Sequence, residues 1–88
     1  MIDFGTNETW AYHSNTECVV FTVRDEGQPI TCKVSMEAIE DHYGNCDEQE
    51  ILDKAKEHFD EITEQIGDKI GRKRFEEDGS ILLKSGDW

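Results

Sequence analysis

The stretch from Cys32 to Gly44, C-K-V-S-M-E-A-I-E-D-H-Y-G, constrains the fold more than any other part of the chain. Within it lie a strand end, a helix cap, a short amphipathic helix and a glycine stop. Ser35 stands where an N-cap is needed, its hydroxyl able to accept a bond from a free amide of the first turn. Glu37 in that turn suits the positive end of the helix dipole. Met36, Ile39 and Tyr43 recur at intervals of three and four, which predicts a helix from about Met36 to Tyr43 with one apolar face. Gly44 supplies the left-handed conformation that ends it.

Upstream, a period of two takes over. From Glu17 to Arg24, Val19, Phe21 and Val23 share one side of a strand, with Cys18, Val20 and Thr22 on the other. Asp25, Glu26 and Gly27 signal a turn. The return strand is Ile30 to Val34, with Ile30, Cys32 and Val34 on one face, and Pro29 lies at its start, where a missing donor is tolerated. Ile2 and Phe4 suggest a short edge strand, followed by a loop through Gly5 to Asn15 around Trp10 and Tyr12.

Downstream, Asp47 with Glu50 three residues later resembles a capping box and opens the longest element, a helix reaching roughly Lys69 or beyond. Ile51, Leu52, Ala55, Phe59, Ile62, Ile66 and Ile70 trace its apolar stripe, and Glu50 and Lys54 form a favourable i,i+4 pair on the charged face. Acids at the start and Lys69, Arg72, Lys73 and Arg74 at the end match the dipole, while Gly67 and Gly71 invite fraying of the last turns. An Asp78-Gly79 turn precedes a final strand, Ser80 to Lys84, and a tail ending in Trp88. The economical solution is α+β, a small antiparallel sheet packed against one long and one short helix. The order is strand, strand, helix, helix, strand, with room for an extra N-terminal strand and another around Arg74 to Glu76.

At 88 residues the chain is expected to be a single domain, residues 1–88, with one modest core. Leu, Ile, Val and Phe make up 19 of the 88 residues, near the composition of disordered chains when net charge is high, and the periodicity is what argues for folding. A net charge of -12, from 21 acidic and 9 basic side chains, disfavours nucleic acid and anionic membranes as partners and attracts cationic ones. A solvated or salt-adapted surface explains the same charge without any partner. No stretch approaches a membrane span and the N-terminus lacks a signal-peptide pattern, so a cytoplasmic location is expected. Cys18, Cys32 and Cys46 are odd in number and contain no CxxC pair, which suggests neither a disulfide framework nor a zinc ribbon.

The run V-V-F at Val19 to Phe21, then Gly27, then the Cys32–Gly44 block resembles a small, mainly proteobacterial family catalogued as domain of unknown function fourteen-eighty-eight. Its members show V-x-F, a Gly-containing turn, C-x-I-S-x-x-A-L-E-D-x-F-G, a long helix and a closing D-G-x-hydrophobic strand. Ile2, Phe4 and Trp10 match its opening and Asp78 to Leu83 its close. Val34, Ile39 and Tyr43 replace the commoner Ile, Leu and Phe, and Cys18 and Cys46 fall outside the pattern. The resemblance implies an α+β fold, and it brings no activity or functional residue.

Candidate chemistry has a plainer competitor at each position. Cys32, His42 and Cys46 carry good zinc-ligand atoms, but their spacing fits no standard site and Cys32 shares a strand face with Ile30 and Val34, as a packed cysteine would. Cys46 near a helix start could be a thiolate, against which Asp47, Glu48 and Glu50 act. Asp41 and His42 are adjacent, and adjacent residues of a helix do not face each other. Lys69, Arg72, Lys73 and Arg74 could meet a phosphate, although helix-end complementarity accounts for them. The expectation is therefore a non-enzymatic binding or regulatory module without cofactor. Its sheet edge or acidic helix face would meet an unknown protein partner or a second copy, an exposed edge strand being able to self-pair. A small-ligand, metal- or thiol-linked protein is the alternative. Glu40, Asp41 and His42 are the positions of the central block left free for a functional role.

Overall fold

The computed structural model describes residues 2–45 and 47–87; Cys46 and Trp88, and the readings placed on them, lie outside the described residues. Among the described residues the strands are β1 (Ile2–Asp3), β2 (Ala11–His13), β3 (Cys18–Asp25), β4 (Gln28–Ser35) and β5 (Ile81–Leu83). The helices are α1 (Met36–Tyr43), α2 (Glu48–Glu57) and α3 (Phe59–Gly71). The class is α+β, as expected.

The centre of the sheet is the β3–β4 hairpin, paired from Asp25 with Gln28 to Cys18 with Ser35. Its two-residue loop puts Glu26 and Gly27 at φ 53° and 85°. Consecutive positive φ values are what a tight hairpin turn needs to follow the natural twist of its strands. On one side β3 is flanked twice: β1 pairs with Arg24 and Asp25, and β2 pairs with Cys18 to Val20. The chain leaves the sheet between them through a 3-10 turn at Asn7–Thr9. The expected loop around Trp10 and Tyr12 therefore contains a strand, and Trp10 is a core residue, 3% exposed and stacked on Phe21 with ring centroids 4.1 Å apart.

The sheet is mixed rather than antiparallel, because β5 runs parallel to β4, with Lys33 opposite Leu82. Three helices lie between the two strands and return the chain to the end at which β4 began, and parallel neighbours require a crossover of this kind. No strand forms at Arg74–Glu76, which is irregular and leads into a turn closed by Glu76 and Ser80.

Helix α1 has the expected bounds. Ser35 Oγ accepts from the Ala38 amide at 3.1 Å, and Gly44 ends the helix at φ 95°, ψ 160°, a conformation open to glycine almost alone. The single long helix is instead two, broken at His58, where φ -102° and ψ 29° depart from helical values without any Gly or Pro. Continuous from 48 to 71, a helix would reach about 36 Å, whereas an eight-residue strand spans about 27 Å. The break lets α2 sit over β2 and β3 while α3 packs against β5. It also lays the His58 ring flat on Tyr43, with centroids 3.6 Å apart and planes within 3°.

Two expected local contacts are replaced. Asp47 is the N-cap of α2 but makes no side-chain cap bond, so the capping box is not formed. Lys54 reaches the Tyr43 carbonyl at 3.0 Å, satisfying the end of α1 instead of pairing with Glu50. The end of α3 is closed just beyond Gly71. The Lys73 and Arg74 amides bond the Ile70 and Lys69 carbonyls at 3.0 and 2.9 Å, a double closure with Lys73 at φ 58° where glycine is usual.

The core lies between the helices and one face of the sheet. Val19, Phe21 and Val23 of β3, Cys32 and Val34 of β4 and Ile81 and Leu83 of β5 meet Ile39, Ile51, Ala55, Ile62, Ile66 and Ile70. Each large aliphatic side chain removed from water in this way contributes roughly 1.5–3 kcal/mol before entropy is charged against it.

Candidate functional site

Glu40, Asp41 and His42 occupy the last turn of α1. Glu40 is half-buried and its carbonyl accepts the Gly44 amide at 2.9 Å, while Asp41 and His42 are exposed. These three do not line the depressions described below.

Cys32 is fully buried among the core residues, its thiol 3.7 Å from the Ile30 carbonyl, and burial pushes its pKa up to about 12. Facing the core, it cannot meet the exposed His42, so the structure does not assemble that pair of metal ligands. Among the described residues no group of three or more His, Cys, Asp or Glu side chains is placed to hold a metal ion. Cys18 is buried as well, and burial raises its thiol pKa. Both are thereby kept in the thiol form, which is the poor nucleophile and poor ligand.

The basic cluster is divided by the fold. Lys69 turns inward, its ammonium 2.7 Å from the Leu82 carbonyl and 2.9 Å from Asp87, with 14% of its side chain exposed. Hydrogen bonding from Lys69 and from the Lys84 amide holds the Asp87 carboxyl below its ordinary range. Arg72 pairs with Asp68 at 3.2 Å on the same helix. Lys73 and Arg74 remain exposed.

Geometry singles out a different region, the face of the sheet that the helices leave open. The register aligns Ala11, Val20, Lys33 and Leu82 across four strands, then Thr22 with Thr31 and Arg24 with Pro29. By alternation these residues point away from the core. The chain from Phe75 to Ser80 borders this face. A depression of about 560 Å³ is lined by Lys33, Phe75, Glu76, Glu77, Asp78, Ser80 and Leu82. A smaller one of about 190 Å³ continues from it along Pro29, Thr31 and Gly79. Beyond Val20 a third, about 580 Å³, is bounded by Thr9, Ala11, His13, Thr22 and Arg24. Asp78 is fixed at the rim. Its carboxylate accepts from the Ser80 hydroxyl at 2.6 Å and the Ser80 amide at 3.0 Å, which lowers its pKa, and Lys33 stands 4.0 Å away. Phe75, 40% exposed, is the exposed large hydrophobic residue among those described.

The alternation along the strands separates the two faces of the sheet but does not show which of them the helices leave bare. The available signal was the mixed character of Val20, Thr22, Thr31 and Lys33 against the wholly apolar Val19, Phe21, Val23, Cys32 and Val34. Shallow, mixed apolar and charged surface of this kind suits contact with another macromolecule more than enclosure of a small molecule.

The frame is that of an α+β protein with a mixed sheet covered on one face. The model of the family described as Protein of unknown function (DUF1488) matches residues 2–83, and the chain belongs to that family. It is similar to the crystal structure, at 1.60 Å, of a protein of unknown function from the DUF1488 family of Shewanella loihica PV-4. The TM-score is 0.82 at 20% identity, over 93% of this chain and 90% of that one. At that identity the likeness establishes the fold alone. Comparison with curated proteins gives no match. Among the described residues no helix is long and apolar enough to cross a membrane.

Proposed function

We propose that the protein is a non-enzymatic binding module that meets other proteins through the bare face of its sheet. The observation that supports this is the contrast between the two faces. One is closed by three helices over the buried row from Val19 to Leu83, and the other is a run of shallow depressions carrying Val20, Leu82 and Phe75 beside Arg24 and Lys33. Apolar area interrupted by a few cations offers both a desolvation gain and an orienting charge to a partner. Arg24 and Lys33 stand on this face, with the acids Glu76, Glu77 and Asp78 at its rim, so it offers a partner charge of both signs.

The test uses the immobilised full chain against extract from its native host, beside the double variant Thr22→Glu, Lys33→Glu, which changes the open face and leaves the core untouched. Proteins retained by the parent and lost from the variant support the reading. The same proteins recovered equally by both would move the binding site elsewhere.

A further inference from the structure

The segment that borders the bare face, R-K-R-F-E-E-D from Arg72 to Asp78, is antisymmetric in charge about Phe75. Turned end over end, it places Arg72, Lys73 and Arg74 opposite Asp78, Glu77 and Glu76. A two-fold axis through the region of Phe75 performs that operation between two copies of one chain, and an isologous contact requires a surface complementary to itself. From this we infer that the partner at this end of the face is a second copy of the chain. The inference rests on reading the face as a protein-binding surface and names its occupant there.

Three observations carry it beyond the sequence pattern. Every residue from Arg72 to Gly79 is exposed, so the segment is available as a whole. Among the described residues, Lys73, Arg74, Glu76 and Glu77 make no salt bridge within their own chain; the outer two of the seven do, Arg72 with Asp68 and Asp78 with Lys33. The four inner charges thus keep their full capacity for a facing copy, as two Lys73–Glu77 and two Arg74–Glu76 pairs. Phe75 stands between them as the exposed large apolar side chain, beside a depression floored by Leu82 that can receive its counterpart.

The contact is small beside the area of a stable dimer, and each chain carries net charge -12. Long-range repulsion is screened beyond about 8 Å at physiological salt, whereas the pairs close to contact are screened less. The dimer is therefore weak and reversible, in the class of transient contacts below about 1,200 Å².

Sedimentation equilibrium of the full chain, up to millimolar concentration in 0.15 M salt, reads the association directly. The acidic-arm variant Lys73→Glu, Arg74→Glu and the basic-arm variant Glu76→Lys, Glu77→Lys each place like charges across the axis and should associate roughly tenfold more weakly than the parent, or worse. Mixed in equal amounts they should form a one-to-one heterodimer, because all four facing pairs are then opposite in sign. Phe75→Ala, for which no charge changes, should also weaken the parent dimer. Circular dichroism verifies the fold of each variant. A parent that stays monomeric, variants that dimerise as the parent does, or a mixture that stays monomeric would overturn the proposal. Host proteins retained through Thr22 and Lys33 in that case would leave the binding-module reading standing, which separates the two failures.

Discussion

The ring of Phe4 lies so close to Gly67 that a β-carbon built on the glycine would stand 3.1 Å from Cζ of the ring. Gly67 is therefore a packing residue of α3, making room for the side chain that follows β1. Gly71, one turn on, has nothing within 4 Å of the same position and is exposed. Gly67, inside α3, carries the full helix-propensity penalty and Gly71, its last residue, only part of it, and the two differ in what a methyl group would meet. Gly71→Ala should raise unfolding stability by about 0.5 kcal/mol. Gly67→Ala should gain clearly less, because the Phe4 ring must move by a few tenths of an ångström. Urea denaturation of the two variants side by side checks the order; equal gains would show that the Phe4 contact exerts no constraint.

The β3–β4 turn holds a correctable strain. Glu26 adopts φ 53°, a value that asparagine and glycine reach more readily. Glu26→Asn should stabilise the protein by about 0.5 kcal/mol, and Gly27→Ala, at φ 85°, should destabilise it by about 1 kcal/mol. Thermal melts of both variants provide the measurement, and a destabilised Glu26→Asn would show that the glutamate side chain has a role in the turn.

The Lys69–Asp87 pair gives the stability a defined acid limb. Asp87 titrates below its ordinary value of 3.8, chiefly because Lys69 donates to it. A depressed carboxyl stabilises the fold above the unfolded pKa, and that contribution is lost as pH falls through the lower, folded value. Asp87→Asn should cost about 1 kcal/mol at pH 7. Its stability should then fall less steeply than the parent's as pH drops below about 4. Parallel slopes in denaturant titrations over that range would remove Asp87 from the acid response.

An alkaline limb has the opposite sign. Tyr12 and Tyr43, the two tyrosines of the chain, are both raised above their usual value of 10.0. For Tyr43 burial is the main cause, with the Glu61 carboxylate adding to it; for Tyr12 burial acts first and Glu48 second. A raised phenol stabilises the fold below the unfolded pKa, and the contribution is lost as pH climbs through the folded value. Absorbance at the tyrosinate band should show less than half ionisation at pH 10 in the folded protein, with half ionisation there after unfolding.

Where a structural signal is local, the chain displays it openly. The bounds of α1 could be read to the residue because Ser35 supplies a cap and Gly44 a positive φ within reach of the helix they delimit. The alternating runs of β3 and β4 were legible too, but not the tightness of their turn, since the signal spread over Asp25–Gly27 with a strand from Ile30, whereas Asp25 already pairs with Gln28 and the loop is Glu26–Gly27 alone. Tertiary decisions left no such trace. His58 interrupts a continuous apolar stripe with no glycine or proline, for reasons of fit to the sheet and of stacking on Tyr43. The direction of β5 depends on where a three-helix crossover ends. Ala11–His13 is too short to show alternation, so its pairing with β3 is visible only in space. The residues first nominated for a role, Glu40, Asp41 and His42, were those left over from local explanation. The open face is made by residues that local explanation had already absorbed, among them Val20, Lys33 and Leu82.

The inward turn of Lys69 bears on how the protein stays dispersed. Lys33 directs its peptide groups towards β5, so those of Leu82, its partner, lie on the outer edge of the sheet, and the Lys69 ammonium covers the carbonyl there. A bare strand edge is a template for aggregation, and here it is plugged by a charge held in place by Asp87. The two protections fail at different acidities. Mutual repulsion vanishes near the isoelectric point of about 4.4, where Asp87, titrating below 3.8, is still ionised and the plug still seated. On acidification the chain thus loses its colloidal defence while the edge remains sealed, and by the time the seal loosens the molecule has become a cation that repels its copies again.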